Sequence, residues 1–278
     1  MRIVFCGGDF LATGLERMLA DGHQLVEAFT LPVQSKRVLS TELRRIAAAA
    51  GAPVTEARLT PEHMHRLGGL GVDLLLSGAY AFRIPPWQGR IGYGLNLHPG
   101  PLPDGRGPWP YPWLILKGRR SSAVVLHALA PGFDEGDILA RWEFPLSWRD
   151  TADSVRAKSR LVANREAPRA LADLEALWRD RRPQSGGGYW PLPGPQVRQV
   201  RWTYPVGRID RIVRAFAGNG CLAVVEGVVV SIEAAVAWPE QHDLAPGTRV
   251  LRGRADLVVA ANGGFVAVTR YRILRPRR

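Results

Sequence analysis

The chain of 278 residues is long enough for a catalytic domain of about 180–200 residues followed by a smaller one. Hydrophobic residues at 46% and charged residues at 22% exclude a disordered tail or a collagen-like chain, and two distant cysteines, Cys6 and Cys221, exclude a disulfide scaffold. The formal charge of +12 comes almost wholly from arginine, since only Lys36, Lys117 and Lys158 are lysines.

From the amino terminus, Arg2–Cys6 reads as a strand closed by Gly7-Gly8, and Leu11–Ala20 has helical spacing. Gln24–Thr30 is a second strand and Leu39–Ala50 an alanine-rich helix stopped by Gly51. A short strand starts at Pro53-Val54. The spacing predicts a helix over Pro61–Leu67, capped by Thr60, with His63 and His65 read as surface residues on different faces. Val72–Ser77 is a continuous apolar run, expected as a central strand buried on both faces. Gly94–Leu97, Ala123–Ala128 and Asp137–Phe144 read as further strands, and Pro112–Lys117 as a helix. Thr151 is expected to cap one long helix running to about Asp180. This alternation predicts an α/β, Rossmann-like, mostly parallel sheet with crossover helices.

Composition breaks at Arg182-Pro-Gln-Ser-Gly-Gly-Gly188, read as a flexible linker, and Trp190–Pro195 adds three prolines. Arg208–Phe216 then reads as an amphipathic helix. Short apolar runs follow at Leu222–Val225, Val228–Ile232, Thr248–Leu251, Leu257–Ala260 and Phe265–Thr269, the pattern of a small barrel or sandwich. The expected organisation is a catalytic domain at 1–182, a linker at 183–202 and an OB-like β-barrel at 203–278. From Tyr189 onward there are 13 arginines against 6 acids, a surplus that suits a polyanion or an anionic small substrate, or serves solubility alone. No apolar run reaches 18 residues and the chain enters its first strand without a leader's apolar centre, so a soluble cytoplasmic protein with no membrane partner is expected.

The chemistry concentrates at Asn96-Leu-His-Pro-Gly-Pro-Leu-Pro-Asp-Gly-Arg-Gly107 and Gly132-Phe-Asp-Glu-Gly-Asp-Ile138. Asn96 and His98, at i and i+2 on a strand, face the same way, and prolines at 99, 101 and 103 end the strand at once. That places both side chains at the carboxyl edge of the sheet, where open α/β sheets hold ligands. Asp134 follows in a glycine-flanked turn. A histidine can take and give a proton near neutral pH, a carboxylate can hold its protonation state, and an amide NH2 can stabilise an oxyanion. Taken singly, each of the three is equally a structural residue or a turn former. No metal-ligand spacing is present.

Together, Asn96-Leu-His98-Pro-x-x-Leu-Pro103-x-x-Arg106-Gly107 and Asp134-x-Gly136-Asp137-Ile138 resemble the signature of the tetrahydrofolate-dependent formyltransferase family. The resemblance covers most of residues 1–180. It continues past Tyr204, where Ile209–Phe216 is similar to the opening helix of the small barrel carried by family members that act on methionyl-tRNA. It implies N10-formyltetrahydrofolate as co-substrate, no metal, and a primary amine or hydroxylamine as acceptor. By the same resemblance Asn96 would stabilise the tetrahedral oxyanion, His98 would assist proton transfer, and Asp134 would orient His98. Phe82, Arg83, Ile84 and Pro85, with Gly132 and Phe133, would hold the folate; Gly8, Asp9, Phe10, Arg106 and Trp109 would lie on the acceptor side.

Two departures bear on the acceptor. The aromatic, proline-dense Pro108-Trp-Pro-Tyr-Pro-Trp113 replaces the family's usual small or polar residues, and Leu31–Arg37 is shorter than the basic insertion that grips tRNA in relatives. Gly100 also stands where the family usually carries serine or alanine. A small amine, such as a nucleotide-linked amino sugar, is therefore the first expectation. Initiator methionyl-tRNA is the alternative, and hydrolysis of the formyl donor the third reading. The oligomeric state, a homodimer included, is left open.

Overall fold

The computed structural model describes residues 1–32, 39–252 and 257–274. Residues 33–37 of the shortened basic loop and the Arg275–Arg278 tail lie outside the described residues. In chain order the elements are β1 (Arg2–Gly7), a 3-10 turn (Asp9–Leu11), α1 (Ala12–Ala20), β2 (Gln24–Phe29), α2 (Thr41–Ala49), β3 (Val54–Thr55), α3 (Pro61–Gly69), β4 (Leu74–Gly78) and β5 (Tyr93–His98). Then come α4 (Pro110–Leu116), β6 (Ser121–Ala128), β7 (Ile138–Pro145), α5 (Ala152–Ala172), α6 (Leu174–Arg179), α7 (Val206–Ala215), β8 (Cys221–Val225), β9 (Val228–Pro239), β10 (Arg249–Arg252), β11 (Leu257–Ala261) and β12 (Gly264–Ile273). These fall into two compact units. The first holds Met1–Pro108, Ser122–Phe144 and Ala157–Trp190; the second holds Trp109–Ser121, Pro145–Arg156 and the residues from Pro191 onward.

The first unit carries a seven-stranded sheet in the order β3-β2-β1-β4-β5-β6-β7. The β1–β2, β1–β4, β2–β3 and β4–β5 pairs are parallel, and β5–β6 is antiparallel. The apolar run that predicted a central strand is β4, in the middle of the sheet and buried along its whole length. The chain winds outward through β1, β2 and β3, then returns to β4 and continues the other way. Gly7 and Gly78, in register at the ends of β1 and β4, mark that switch point, beside which such sheets bind ligands. Cys6 and Cys221 are free and buried, as read; burial pushes the Cys221 thiol up to about 12 and the Cys6 thiol higher still.

Two helical details differ from expectation. The long helix is interrupted at Asp173, so that α5 and α6 replace a single rod. Aspartate is among the weaker helix formers, and Asp173 leaves helical geometry at the break, with φ -108° and ψ 19°. His63 is not a free surface residue: Thr60 N–H donates to its Nδ1 at 3.2 Å, completing a capping box with Thr60 Oγ1, and its ring meets Phe29 edge-on at 5.1 Å.

The second unit has a five-stranded antiparallel sheet, ordered β10-β11-β12-β9-β8. Strands β9 and β12 run well beyond the apolar runs that announced them. They pair from Gly264 opposite Pro239 to Ile273 opposite Val230, and the outer half of β12 is exposed, so hydrophobicity faded there before the strand ended. Helix α7 buries Val206, Ile209, Ile212 and Val213. In the same unit Trp109 meets Phe216 edge-on at 6.1 Å, and Trp113 Nε1 donates to the Pro191 carbonyl at 2.7 Å.

Candidate active site

Asn96 and His98 stand on the last turn of pleat of β5, in the first unit. His98 is buried, with 4% of its side chain exposed, and Asp134 retains 12%. Asp134 belongs to the Gly132–Gly136 turn before β7 and has a left-handed backbone, φ 59°. A non-glycine residue there is costly, and aspartate and asparagine tolerate it best.

The polar contacts are specific. His98 Nδ1 lies 3.3 Å from Asp134 Oδ1, and His98 Nε2 lies 2.9 Å from the Gly105 carbonyl. A carbonyl and a carboxylate can only accept, so both contacts are satisfied together only by the imidazolium. Burial acts to lower the His98 pKa, but the Asp134 charge, its hydrogen bond and the Gly105 carbonyl outweigh it, and the net shift is upward. Burial likewise acts to raise Asp134, yet the His98 charge and the hydrogen bonds win and hold the carboxyl well below the usual carboxylate range. Gly107 N–H donates to Asp134 Oδ2 at 2.9 Å. Gly100 also has a steric reason: a Cβ there would lie 2.5 Å from His98 Nε2.

His127, on β6, was not singled out in the sequence. Its only signal was its place in an antiparallel partner strand, and register puts it directly opposite Asn96. The ring is buried. Nδ1 lies 2.8 Å from the Ala128 carbonyl and so carries the hydrogen; Nε2 then accepts from Asn96 Nδ2 at 2.9 Å. Asn96 Nδ2 also reaches Asp134 Oδ1, at 3.3 Å. The amide NH2 is thereby oriented, and its longer bond is the one an incoming oxygen would replace most easily.

The other expected residues divide. Arg83 lays its guanidinium over the Phe133 ring at 5.3 Å, so the Phe82–Pro85 segment and the Gly132–Phe133 turn come together; Phe82 meets Tyr80 edge-on at 5.5 Å and Ile84 packs on the core. Arg106 Nε donates to Gln184 Oε1 at 3.1 Å. Gly8, Asp9 and Phe10 follow β1, where Asp9 Oδ1 accepts from Leu43 N–H at 3.0 Å and the Asp9 and Phe10 carbonyls accept from Arg160 and Asn164. Asp9 thus anchors α2. Trp109 belongs to the second unit. Among the described residues, no group of three or more His, Cys, Asp or Glu side chains is arranged to hold a metal ion.

The His98–Asp134 pair fixes a pH dependence. Its imidazolium, raised above 6.5, stabilises the fold fully below that value and ceases to as pH rises through the raised folded value; its carboxylate, depressed below 3.8, stabilises above 3.8 and ceases to as pH falls through the depressed value. The pair should therefore stabilise most between about pH 4 and 6.5. Urea unfolding across that range, compared with Asp134→Asn, should show the difference largest there; a flat difference would refute the pairing.

An open, mostly parallel sheet with a buried Asn–His–Asp cluster at its carboxyl edge, followed in the chain by a small antiparallel domain, is a two-part α/β architecture with a polar site on its sheet. Residues 3–171 match the family model described as formyl transferase, and residues 194–275 that of the formyl transferase C-terminal domain. The chain belongs to the formyl transferase family. A methionyl-tRNA formyltransferase from Thiobacillus denitrificans is 28% identical over 96% of this chain and 90% of its own length. Among solved structures, HypX from Aquifex aeolicus in complex with tetrahydrofolic acid matches with a TM-score of 0.69 and 22% identity over 99% of this chain, which spans 44% of HypX. An N-formyltransferase from Helicobacter canadensis, in complex with folinic acid and dTDP-3-aminofucose, matches with a TM-score of 0.71 and 14% identity over 96% of this chain and 98% of that one.

Proposed function

We propose that this chain transfers the formyl group of N10-formyltetrahydrofolate to a primary amine. The observation that carries the reading is the buried His98–Asp134 pair beside an Asn96 amide oriented by His127. In this reading the amine nitrogen attacks the formyl carbon and the carbonyl oxygen gains negative charge. Asn96 N–H and the His98 imidazolium stabilise that oxygen. Asp134 keeps His98 charged and holds the water through which the amine's proton passes; as the C–N bond to the folate nitrogen breaks, that nitrogen takes the proton the amine lost. Phe82–Pro85 with Gly132 and Phe133 hold the folate, the Arg83–Phe133 stack joining the two segments. Arg106 and the Gly8–Phe10 turn are assigned to the acceptor.

For the acceptor, a small-molecule amine such as a nucleotide-linked amino sugar is supported by the shortened loop after Leu31 and by the aromatic Trp109–Trp113 segment. A second reading, initiator methionyl-tRNA, is favoured by similarity to methionyl-tRNA formyltransferases along nearly the whole chain and by the arginine surplus after Tyr189. The deciding assay follows tetrahydrofolate release from N10-formyltetrahydrofolate with charged initiator tRNA, with a panel of amino sugars and small amines, and with no acceptor. Turnover with small amines alone supports the first reading. Turnover with tRNA alone, its affinity falling steeply with salt, replaces it with the second. Release without any acceptor makes the protein a hydrolase, and no release in any arm refutes formyl transfer.

A further inference from the structure

The segment after Arg181 has the composition of a flexible linker, yet it is hydrogen-bonded to both loops of the site. Ile138 and Arg182 exchange backbone bonds of 2.8 and 2.9 Å. Gly105 and Arg106 N–H donate to the Gly188 carbonyl at 3.0 and 3.2 Å, and Trp190 N–H donates to the Arg106 carbonyl at 2.7 Å. Gly187, φ 78°, has no room for a side chain, since a Cβ would lie 2.0 Å from the Pro103 carbonyl oxygen.

At the centre is Gln184, half-buried. Its Nε2 donates to the carbonyls of Asp134 and Gly136, both at 2.8 Å, while its Oε1 accepts from Arg106 Nε. Arg106 Nη2 reaches on to the Gly186 carbonyl at 3.2 Å. The two carbonyls bound by one amide bracket the turn whose Asp134 is left-handed. The arginine bound by its other end sits between Gly105, which accepts from His98, and Gly107, which donates to Asp134. One side chain therefore ties the backbone carrying Asp134 to the loop that anchors both members of the His98–Asp134 pair.

We propose that Gln184 is a positioning residue for formyl transfer, clamping the Asp134 turn to the Gly105–Gly107 loop; this rests on the formyl-transfer reading above. Only a side-chain amide offers both a donor pair and an acceptor here. Glutamate would set an oxygen against two carbonyl oxygens, and methionine, similar in length, would remove the donor to both carbonyls and the acceptor of Arg106 Nε. Gln184 touches no reacting atom, so it acts through geometry. Small misplacements of a catalytic pair cost about 100-fold.

The test compares wild type with Gln184→Met and Gln184→Glu. Expected are a kcat loss of about 30–100-fold for each, a KM for the formyl donor within about twofold, and loss far beyond any fall in folded fraction at the assay temperature. Alongside, the His98 ring is titrated by NMR. The charged and titratable groups facing it are Asp134 from its turn and, behind Asp134, His127 on β6, with Arg106 on the adjoining loop. Loosening the turn should lower the His98 midpoint in Gln184→Met, where no charge is added; in Gln184→Glu the new carboxylate acts in the opposite direction, so that variant is read by kcat alone. Wild-type kcat in folded Gln184→Met, or a kcat loss matched by lost folded protein, would overturn the proposal. An unmoved His98 midpoint in Gln184→Met would overturn it as well. Should wild type transfer no formyl group, that failure belongs to the proposed function, and the His98 midpoint still decides whether Gln184 clamps the turn.

Discussion

Asp134→Asn is expected to lower formyl transfer by about 100- to 10,000-fold with the fold intact. Asparagine accepts the left-handed backbone as readily as aspartate, so the substitution removes charge rather than conformation. The Gly107 N–H requires an acceptor, which turns the new amide so that its oxygen faces Gly107 and its NH2 faces His98 Nδ1 and the Asn96 amide. His98 is then left with an acceptor nitrogen at Nδ1 and a hydrogen at Nε2, donated to the Gly105 carbonyl. That is the neutral tautomer. Burial, no longer opposed by a carboxylate, favours the same state. Tetrahydrofolate release measures the loss, and NMR of the ring should show the His98 midpoint dropping below that of wild type. Near-normal turnover would remove Asp134 from the mechanism.

Gly136→Ala is expected to cost about 3 kcal/mol or more in unfolding free energy, the upper part of the range for single substitutions. A Cβ at Gly136 would lie 1.8 Å from the Ala128 carbonyl oxygen and 2.7 Å from its carbon, both backbone atoms that cannot swing aside. Ala128 N–H also pairs with the Asp137 carbonyl at 2.9 Å, so the two segments cannot simply separate. The same Ala128 carbonyl fixes the His127 hydrogen on Nδ1, and shifting it disturbs the Asn96 amide next in line. Urea unfolding gives the stability change, and residual turnover of the folded fraction should fall as well. Gly69→Ala is the control: nothing lies within 4 Å of its added Cβ, and alanine at the end of α3 should be neutral or slightly stabilising. Equal unfolding energies for the two variants would show that the close approach at Gly136 relaxes freely.

Most of the α/β alternation was legible because each element carries its own local pattern. The buried strand β4 is a continuous apolar run, and α3 begins with a threonine cap followed by proline. The Asn96-x-His98 spacing followed by prolines was equally plain, since a strand's period of two puts both side chains on one face whatever surrounds it. The break at Asp173 and the outer halves of β9 and β12 were less legible. They depend on what each stretch packs against or pairs with: β9 carries on through Glu233 into Ala-Ala-Val-Ala-Trp, while β12 turns to arginines before it ends.

The order of residues supplies the chemistry: an amide, an imidazole and a carboxylate at fixed places along the chain, with glycines where backbones come close. How these groups combine follows from strand pairing and packing. His127 joins Asn96 only because β6 runs antiparallel beside β5 in one register, and Gln184 reaches the Asp134 turn from 50 residues away. Strand register and the seating of a segment without regular structure are set by long-range backbone hydrogen bonds. Those bonds use the same N–H and C=O groups at every residue, so which distant groups will pair is not written into either stretch alone.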